Sequence, residues 1–337
     1  MSSLSELMKI VLNGPVAQAG AAILRQRFGA AADVVEVDHR AADERALAAL
    51  ADSEVLVSVD FDSGLPPMPK LRLVHIPAAG LDAVDLAAVP RGCPVCNVFE
   101  HDIGVSEYVM AAMLYFTVAL ASKSERFRSG DWSESPRLGA PFRPELAGST
   151  VGIVGYGHIG RAVARRAKAF GLRVMALART RRDLDPPPDW LGEPGELPAL
   201  LEAADFVVIA CPLNEATRGM IGNSEFAHMK PQAVLINVAR GPIVDEDALY
   251  EALKNRTIRG AVLDVWYRYP EPGDTTVRPS RHPFHHLDNV VMTPHCSGWT
   301  EGLMARRFAV IIDNIQRLRD GRPLLNQVHP APGKEAW

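Results

Sequence analysis

Residues 148–179 read GSTVGIVGYGHIGRAVARRAKAFGLRVMALAR, and the fold follows from how that run is punctuated. Val151 to Val154 is a short apolar run that predicts a fully buried strand. It leads directly into Gly155-Tyr156-Gly157-His158-Ile159-Gly160. Ala162, Val163, Ala167 and Phe170 then recur at helical spacing until Gly171, and Leu172 to Ala178 forms a second apolar run. Strand, glycine turn, helix and strand in that order make a βαβ unit with G-x-G-x-x-G at its turn, the arrangement that binds dinucleotides. Gly155 permits the tight turn, Gly157 lets a pyrophosphate reach the backbone, and Gly160 lets the helix pack close to the strand. The helix opens around His158 and Ile159, where N–H groups and the positive end of the dipole meet the phosphates.

Around this unit the chain has 337 residues, enough for about two domains. Its 47% hydrophobic and 23% charged residues are ordinary for a globular protein with ample core. A formal charge of −4 gives no reason to expect nucleic acid or an anionic membrane as partner. The N-terminal MSSLSELMKIVLNG runs into a strand without an apolar signal segment, and the apolar stretch Tyr108 to Ala121 is too short to span a bilayer. These features predict a cytoplasmic protein. Cys93-Pro-Val-Cys96 has the spacing of a redox pair or half a zinc site, but it reads better as a short strand with alternate side chains on opposite faces. His282, His285 and His286 sit in a Pro-Phe-His-His loop with no supporting carboxylate pattern, so no metal site is expected.

Residues 9–98 alternate apolar runs with helical patterns: strands at Lys9–Leu12, Val34–Val37, Val55–Val59, Leu73–Ile76 and Pro94–Val98, and helices at Ala17–Phe28 and Asp43–Ala51. Such alternation predicts a parallel sheet covered by helices. Val105 to Ala121 predicts a helix apolar on nearly every face, suited to a domain junction or subunit interface. Lys123 to Ala147, rich in glycine, proline and polar residues, predicts an arm, and Arg179 to Pro198 a solvated loop. Further buried strands are expected at Phe206–Ala210, Val234–Val238, Ala261–Val265 and Val290–Met292, with helices at Asp245–Asn255 and Glu301–Arg319.

With the glycine turn, Asn237-Val-Ala239-Arg240-Gly241, Gly260-Ala-Val-Leu-Asp264-Val and Thr293-Pro-His295 in place, the chain resembles the D-isomer-specific 2-hydroxyacid dehydrogenase family over nearly its whole length. The resemblance implies an α/β protein of two doubly wound parallel-sheet domains with a cleft between them. A discontinuous, flavodoxin-like substrate domain would take residues 1–98 and 299–337, and a Rossmann cofactor domain residues 99–298. It also implies a homodimer built around the inserted domain.

Site residues carry over from the same resemblance. Arg240 matches the arginine that clamps the substrate carboxylate, a role suited to a planar guanidinium that makes two parallel hydrogen bonds. His295 matches the general acid/base, since an unperturbed histidine, with pKa about 6.5, changes charge near working pH. Ala79 and Gly80 match a loop whose backbone N–H groups meet the carboxylate. Asp264 matches a residue that holds the nicotinamide amide, and Pro212 and Ala239 are expected to line the cofactor. The implied reaction is hydride transfer between a nicotinamide and a 2-oxo/2-hydroxy acid, with His295 exchanging the proton on the substrate oxygen. Retention of both Arg240 and His295 favours an enzyme over a dinucleotide-binding regulatory protein.

Two positions depart from or refine that pattern. The strand after the glycine turn ends at Ala178, where NAD users place an acidic residue, and Arg179, Thr180, Arg181 and Arg182 follow at once; this predicts NADP over NAD. Family members usually carry Glu-Pro five residues after the aspartate matching Asp264, to orient the histidine. Here the direct match is Tyr269-Pro270, whereas a two-residue slip brings Glu271-Pro272 into register. Tyr269 needs no insertion and is the favoured partner of His295; a phenol can hydrogen-bond the imidazole but supplies no opposite charge.

Overall fold

The computed structural model describes residues 7–41, 43–180, 184–271, 273–274 and 276–329. The chain divides into two compact units, Met1–Glu100 with Thr300–Trp337, and His101–Trp299.

The first unit opens with β1 (Met8–Asn13), whose neighbours on either side are β2 (Ala32–Val37) and β3 (Val55–Ser58), both parallel to it. The helix expected over Ala17–Phe28 is broken into α1 (Pro15–Gln18) and α2 (Ala21–Phe28). The break falls where a Cβ on Gly20 would lie 2.0 Å from the Phe308 ring, so the backbone bends around a side chain from the far end of the chain. α3 (Glu44–Ala51) lies where a helix was expected, and Asp43 caps its start by accepting from the Ala46 N–H at 2.6 Å. β4 (Leu73–His75) and β5 (Val95–Cys96) complete the parallel part of this sheet. Cys93 and Cys96 pack into clusters on opposite faces of the sheet, and burial pushes their thiols up to about 11 and about 12.

The second unit starts with α4 (Asp102–Val118), which buries Val109, Met110 and Met113 against its sheet. Ala119 adopts a left-handed conformation, φ 54°, and the chain turns into α5 (Leu120–Arg128) with a 49° bend. This corrects two expectations: the long helix stops before Ala121, and the arm is helical through its first residues. Arg126 on α5 holds Asp131, Ser133 and Glu134 of the turn that follows the helix. α5 buries no residue, and Leu120, Phe127, Trp132, Leu138 and Phe142 on it and beyond it are exposed. Among the described residues no single helix is long and apolar enough to cross a membrane.

The glycine-turn unit follows as β6 (Thr150–Val154), α6 (His158–Ala169) and β7 (Arg173–Leu177). The segment read as a solvated loop contains an edge strand, β8 (Trp190–Gly192), and the start of α7 (Leu197–Ala203). Its prolines hide the pairing of Trp190 with Met175 and the bond from the Ala178 N–H to the Gly192 carbonyl. Then come β9 (Phe206–Ile209), α8 (Asn223–His228), β10 (Val234–Asn237), α9 (Glu246–Lys254), β11 (Gly260–Leu263) and β12 (Val290–Met292). The seven strands are all parallel in the order β12-β11-β10-β9-β6-β7-β8. The order reverses between β6 and β9, which is where a doubly wound sheet opens a crevice at the carboxyl ends of its strands.

The chain returns to the first unit as α10 (Glu301–Arg319) and β13 (Gln327–His329). Phe308, Ile311 and Ile315 of α10 pack with Ile10, Leu12 and Leu24. β13 adds an antiparallel edge to the otherwise parallel sheet, whose order is β13-β5-β4-β3-β1-β2.

Candidate active site

At the turn between β6 and α6, Gly155 has φ 102°, and a Cβ there would sit 2.7 Å from the Cys211 backbone nitrogen. A Cβ on Gly160 would lie 2.2 Å from the Gly155 carbonyl oxygen, so only glycine lets the helix start this close to the strand. Gly157 differs: a Cβ there would meet nothing within 4 Å, leaving open space at the N-terminus of α6. The first turn of α6, from His158 and Ile159, carries no acidic residue, and the Nε of Arg161 donates to the Gly157 carbonyl. Open space at Gly157, a positive dipole end and a nearby guanidinium together suit a dinucleotide pyrophosphate. The Tyr156 hydroxyl donates to the Pro186 carbonyl and ties the following loop to this turn.

Two neighbours complete the strand ends here. Pro212 follows β9, its carbonyl accepting from the Thr217 hydroxyl at 2.7 Å. Arg179 and Thr180, just past β7, are exposed, and the Arg179 charge acts on the Cys211 thiol, which burial nevertheless raises to about 11. Arg181 and Arg182 lie outside the described residues.

Beyond β10 the side chain of Asn237 shapes the next turn. Its Oδ1 accepts from the Ala239 N–H at 3.1 Å, and its Nδ2 donates to the Arg240 carbonyl at 3.0 Å. The Arg240 guanidinium, half-buried, donates to the Ala239 carbonyl at 2.7 Å. A Cβ on Gly241 would lie 2.4 Å from the Trp266 carbonyl oxygen, so this turn abuts the chain leaving β11.

Asp264, at the end of β11, is fully buried and gathers the loop after β12. Its Oδ1 accepts from the Thr293 hydroxyl at 2.6 Å and the Cys296 N–H at 2.9 Å, and its Oδ2 accepts from the Ser297 N–H at 2.9 Å. Because Thr293 spends its proton on the carboxylate, the Tyr108 hydroxyl 2.7 Å away donates to Thr293. Burial raises the Tyr108 phenol to about 12 and keeps it protonated for that role. The Trp266 indole N–H donates to the Thr293 carbonyl at 2.8 Å. Asn237, Thr293, Tyr108 and Trp266 thus hold the site together, although their residue types alone did not single them out. Asn237, Thr293 and Trp266 fall inside or beside the sequence motifs, which was the available signal.

Between these anchors His295 is exposed on a left-handed backbone, φ 56°, a conformation that a non-glycine residue keeps only when its surroundings impose it. The Tyr269 hydroxyl lies 3.1 Å from its Nδ1 and also accepts from the Trp266 N–H at 3.2 Å. The loop therefore takes the register that brings Tyr269, not Glu271, to the imidazole. His295 and Tyr269 line one cavity of about 600 Å³ with Trp266, Arg268 and Met292.

In the other unit, Ala79 and Gly80 occupy the turn after β4, where the Asn97 amide donates to the Ala79 carbonyl at 2.8 Å. His282 has a structural setting: it bonds Asp247 and stacks on Tyr250 at 4.6 Å. Among the described residues no three His, Cys, Asp or Glu side chains are arranged to hold a metal ion.

A seven-stranded doubly wound sheet with this glycine turn defines a dinucleotide-binding oxidoreductase domain. Residues 110–297 match the family model for the NAD binding domain of D-isomer specific 2-hydroxyacid dehydrogenases. The chain is 34% identical over 304 residues to a glyoxylate reductase of Pyrococcus furiosus, covering 87% of this chain and 86% of that one. It is 34% identical over 263 residues to a glycerate dehydrogenase of Methylorubrum extorquens, covering 77% and 79%. A solved NADPH-dependent glyoxylate/hydroxypyruvate reductase of Sinorhizobium meliloti, in complex with NADP and sulfate, superposes with a TM-score of 0.77 at 25% identity, covering 98% and 100%. The chain belongs to the D-isomer specific 2-hydroxyacid dehydrogenase family and is an NAD(P)-dependent enzyme of that class.

Proposed function

We propose that this enzyme interconverts 2-oxo acids and D-2-hydroxy acids, with NADP preferred over NAD. The observation that carries the reading is the presentation of His295. A buried carboxylate pins the loop on both sides of it, and Tyr269 meets its Nδ1. That leaves Nε2 as the ring nitrogen to exchange a proton with the substrate oxygen. Arg240 binds the substrate carboxylate and polarises the adjacent carbonyl, so one guanidinium both positions and stabilises charge. On the family match alone, the backbone N–H groups of Ala79 and Gly80 are assigned to carboxylate recognition. When bound, the nicotinamide supplies or accepts the hydride. Asp264 is assigned to positioning: its carboxylate serves the loop that carries His295.

Support for NADP comes from the end of β7. Ala178 offers no carboxylate to ribose hydroxyls and no charge to repel a 2′-phosphate, and the exposed Arg179 and Thr180 follow it. The exposed apolar residues on α5 and after it, with Phe127 and Trp132 packed edge-to-face at 4.9 Å, support contact with a second copy of the chain.

Reduced-cofactor consumption with a panel of 2-oxo acids, glyoxylate and hydroxypyruvate included, tests the reaction. Turnover by the wild type is expected, with His295→Ala losing roughly 10²- to 10⁴-fold in kcat/KM and Arg240→Ala losing most of it, both still binding cofactor. Cofactor binding without turnover of any 2-oxo acid would point instead to a regulatory dinucleotide-binding protein.

A further inference from the structure

The cavity beside His295 contains a cation that the reaction as proposed does not use. At about 600 Å³ it lies within the range that encloses sizeable small molecules, and glyoxylate would leave most of it empty. Its walls are largely apolar, formed by Trp266, Val277, Met292 and several prolines, and every lining residue belongs to the second unit. Among them Arg268 supplies a guanidinium. The Tyr267 and Arg268 N–H groups both donate to the Pro279 carbonyl, at 3.2 and 3.0 Å, so the backbone that carries this guanidinium is held in place.

Other cations of the second unit are paired with carboxylates. Arg281 pairs with Glu246 and Asp247, and Arg256 with Asp288. Arg268 has no ion pair among the described residues, although Glu271 and Asp274 follow in the same loop; Asp274 instead accepts from the Thr276 N–H and hydroxyl. A guanidinium without an ion pair in the wall of a largely apolar cavity, next to the proton carrier, is complementary to an anionic group on an apolar stem. Its planar fork matches a carboxylate.

We infer that Arg268 determines substrate specificity by binding a second, distal carboxylate of the 2-oxo acid. The preferred substrates are then 2-oxo dicarboxylic acids whose methylene chain lies along Trp266, Val277 and Met292. This inference rests on the hydride-transfer reading above and names the substrate class for it.

The test compares kcat/KM for 2-oxoglutarate and 2-oxoadipate with that for 2-oxohexanoate, which lacks the distal charge, in the wild type, Arg268→Gln, Arg268→Lys and Arg268→Glu. The wild type is expected to favour the dicarboxylates by roughly 10- to 100-fold, the range of a charge-assisted hydrogen bond. Arg268→Gln should abolish that ratio, Arg268→Lys retain part of it, and Arg268→Glu invert it. Arg91→Gln changes the net charge equally from the surface of the other unit and should leave the ratio as in the wild type. A wild-type preference for 2-oxohexanoate, or a ratio unaltered by Arg268→Gln, overturns the inference while glyoxylate turnover still upholds the reaction. Absence of turnover with every 2-oxo acid, glyoxylate included, overturns both.

Discussion

The Tyr269 hydroxyl stands between two backbone-anchored groups, 3.1 Å from Nδ1 of His295 and 3.2 Å from the Trp266 N–H, which donates to it. With one lone pair accepting from Trp266, the phenol keeps a hydrogen and a second lone pair for Nδ1, so it can meet the ring whichever nitrogen carries the proton. It orients the ring but brings no negative charge to stabilise the imidazolium.

Replacing that phenol with a carboxylate is expected to shift the pH profile. An opposite charge within hydrogen-bonding distance favours the imidazolium, so Tyr269→Glu should move the descending limb of kcat/KM for reduction upward by roughly one pH unit or more. Glu271→Gln should leave the limb where it is in the wild type. A limb lowered by Glu271→Gln would show that Glu271, not Tyr269, sets the protonation of His295.

Asp264→Asn is expected to damage the loop although it removes only a charge. The carboxylate accepts on both oxygens, from Thr293 and Cys296 on one and Ser297 on the other. An amide must turn its NH₂ toward one of these donors, leaving two donors facing each other in a buried place. The cost should be about 1–3 kcal/mol of unfolding free energy, accompanied by a fall in kcat. Urea titration and steady-state kinetics check it; wild-type values in both would mean that the loop does not depend on these bonds.

Cofactor choice is expected to reverse at the end of β7. The wild type should show a kcat/KM for NADPH at least roughly tenfold above that for NADH, as one or two charge-assisted contacts allow. Ala178→Asp introduces an acceptor for ribose hydroxyls and repels a 2′-phosphate, so it should favour NADH. Equal use of both cofactors by the wild type would remove Arg179 and Thr180 from phosphate recognition.

Acid should weaken the first unit through His75. This histidine is fully buried on β4, its Nε2 facing the Asn314 amide at 3.0 Å, and desolvation lowers it from 6.5 to about 4. The unfolded chain therefore binds the proton first. The stability that the neutral ring contributes is fully present above about pH 6.5 and is lost as pH falls toward about 4. At about 1.4 kcal/mol per unit, the loss reaches roughly 3 kcal/mol at the lower end. Urea midpoints of the wild type and His75→Gln between pH 7 and 4.5 check the sign: the wild type should decline more steeply. Parallel declines would show that His75 does not titrate on unfolding.

Local chemistry alone carries the central βαβ unit, because its signals, apolar runs and a glycine spacing, all lie within the stretch they describe. The glycine turn is legible for the same reason: Gly155 and Gly160 answer backbone approaches made by the adjacent strand end and within the turn, and Gly157 opens onto free space. The helix α3 after Asp43 and the tail helix Glu301–Arg319 are equally local. Motifs at 237–241, 260–265 and 293–295 likewise stand where strand ends were expected, so the candidate site could be drawn from the chain before its folding was known.

Tertiary structure decided the rest wherever the cause lies far along the chain. The break at Gly20 answers to Phe308, and the edge strand at Trp190 exists because Met175 offers it a partner, which no window around its prolines contains. The sequence by itself left two residues able to meet His295, since a two-residue slip in a loop has no periodicity to forbid it. The loop's path, held by Tyr267 and Arg268 against Pro279, selects Tyr269. The three donors on Asp264 are also a property of the assembled site, because they arrive from another loop only once β11 and β12 lie side by side.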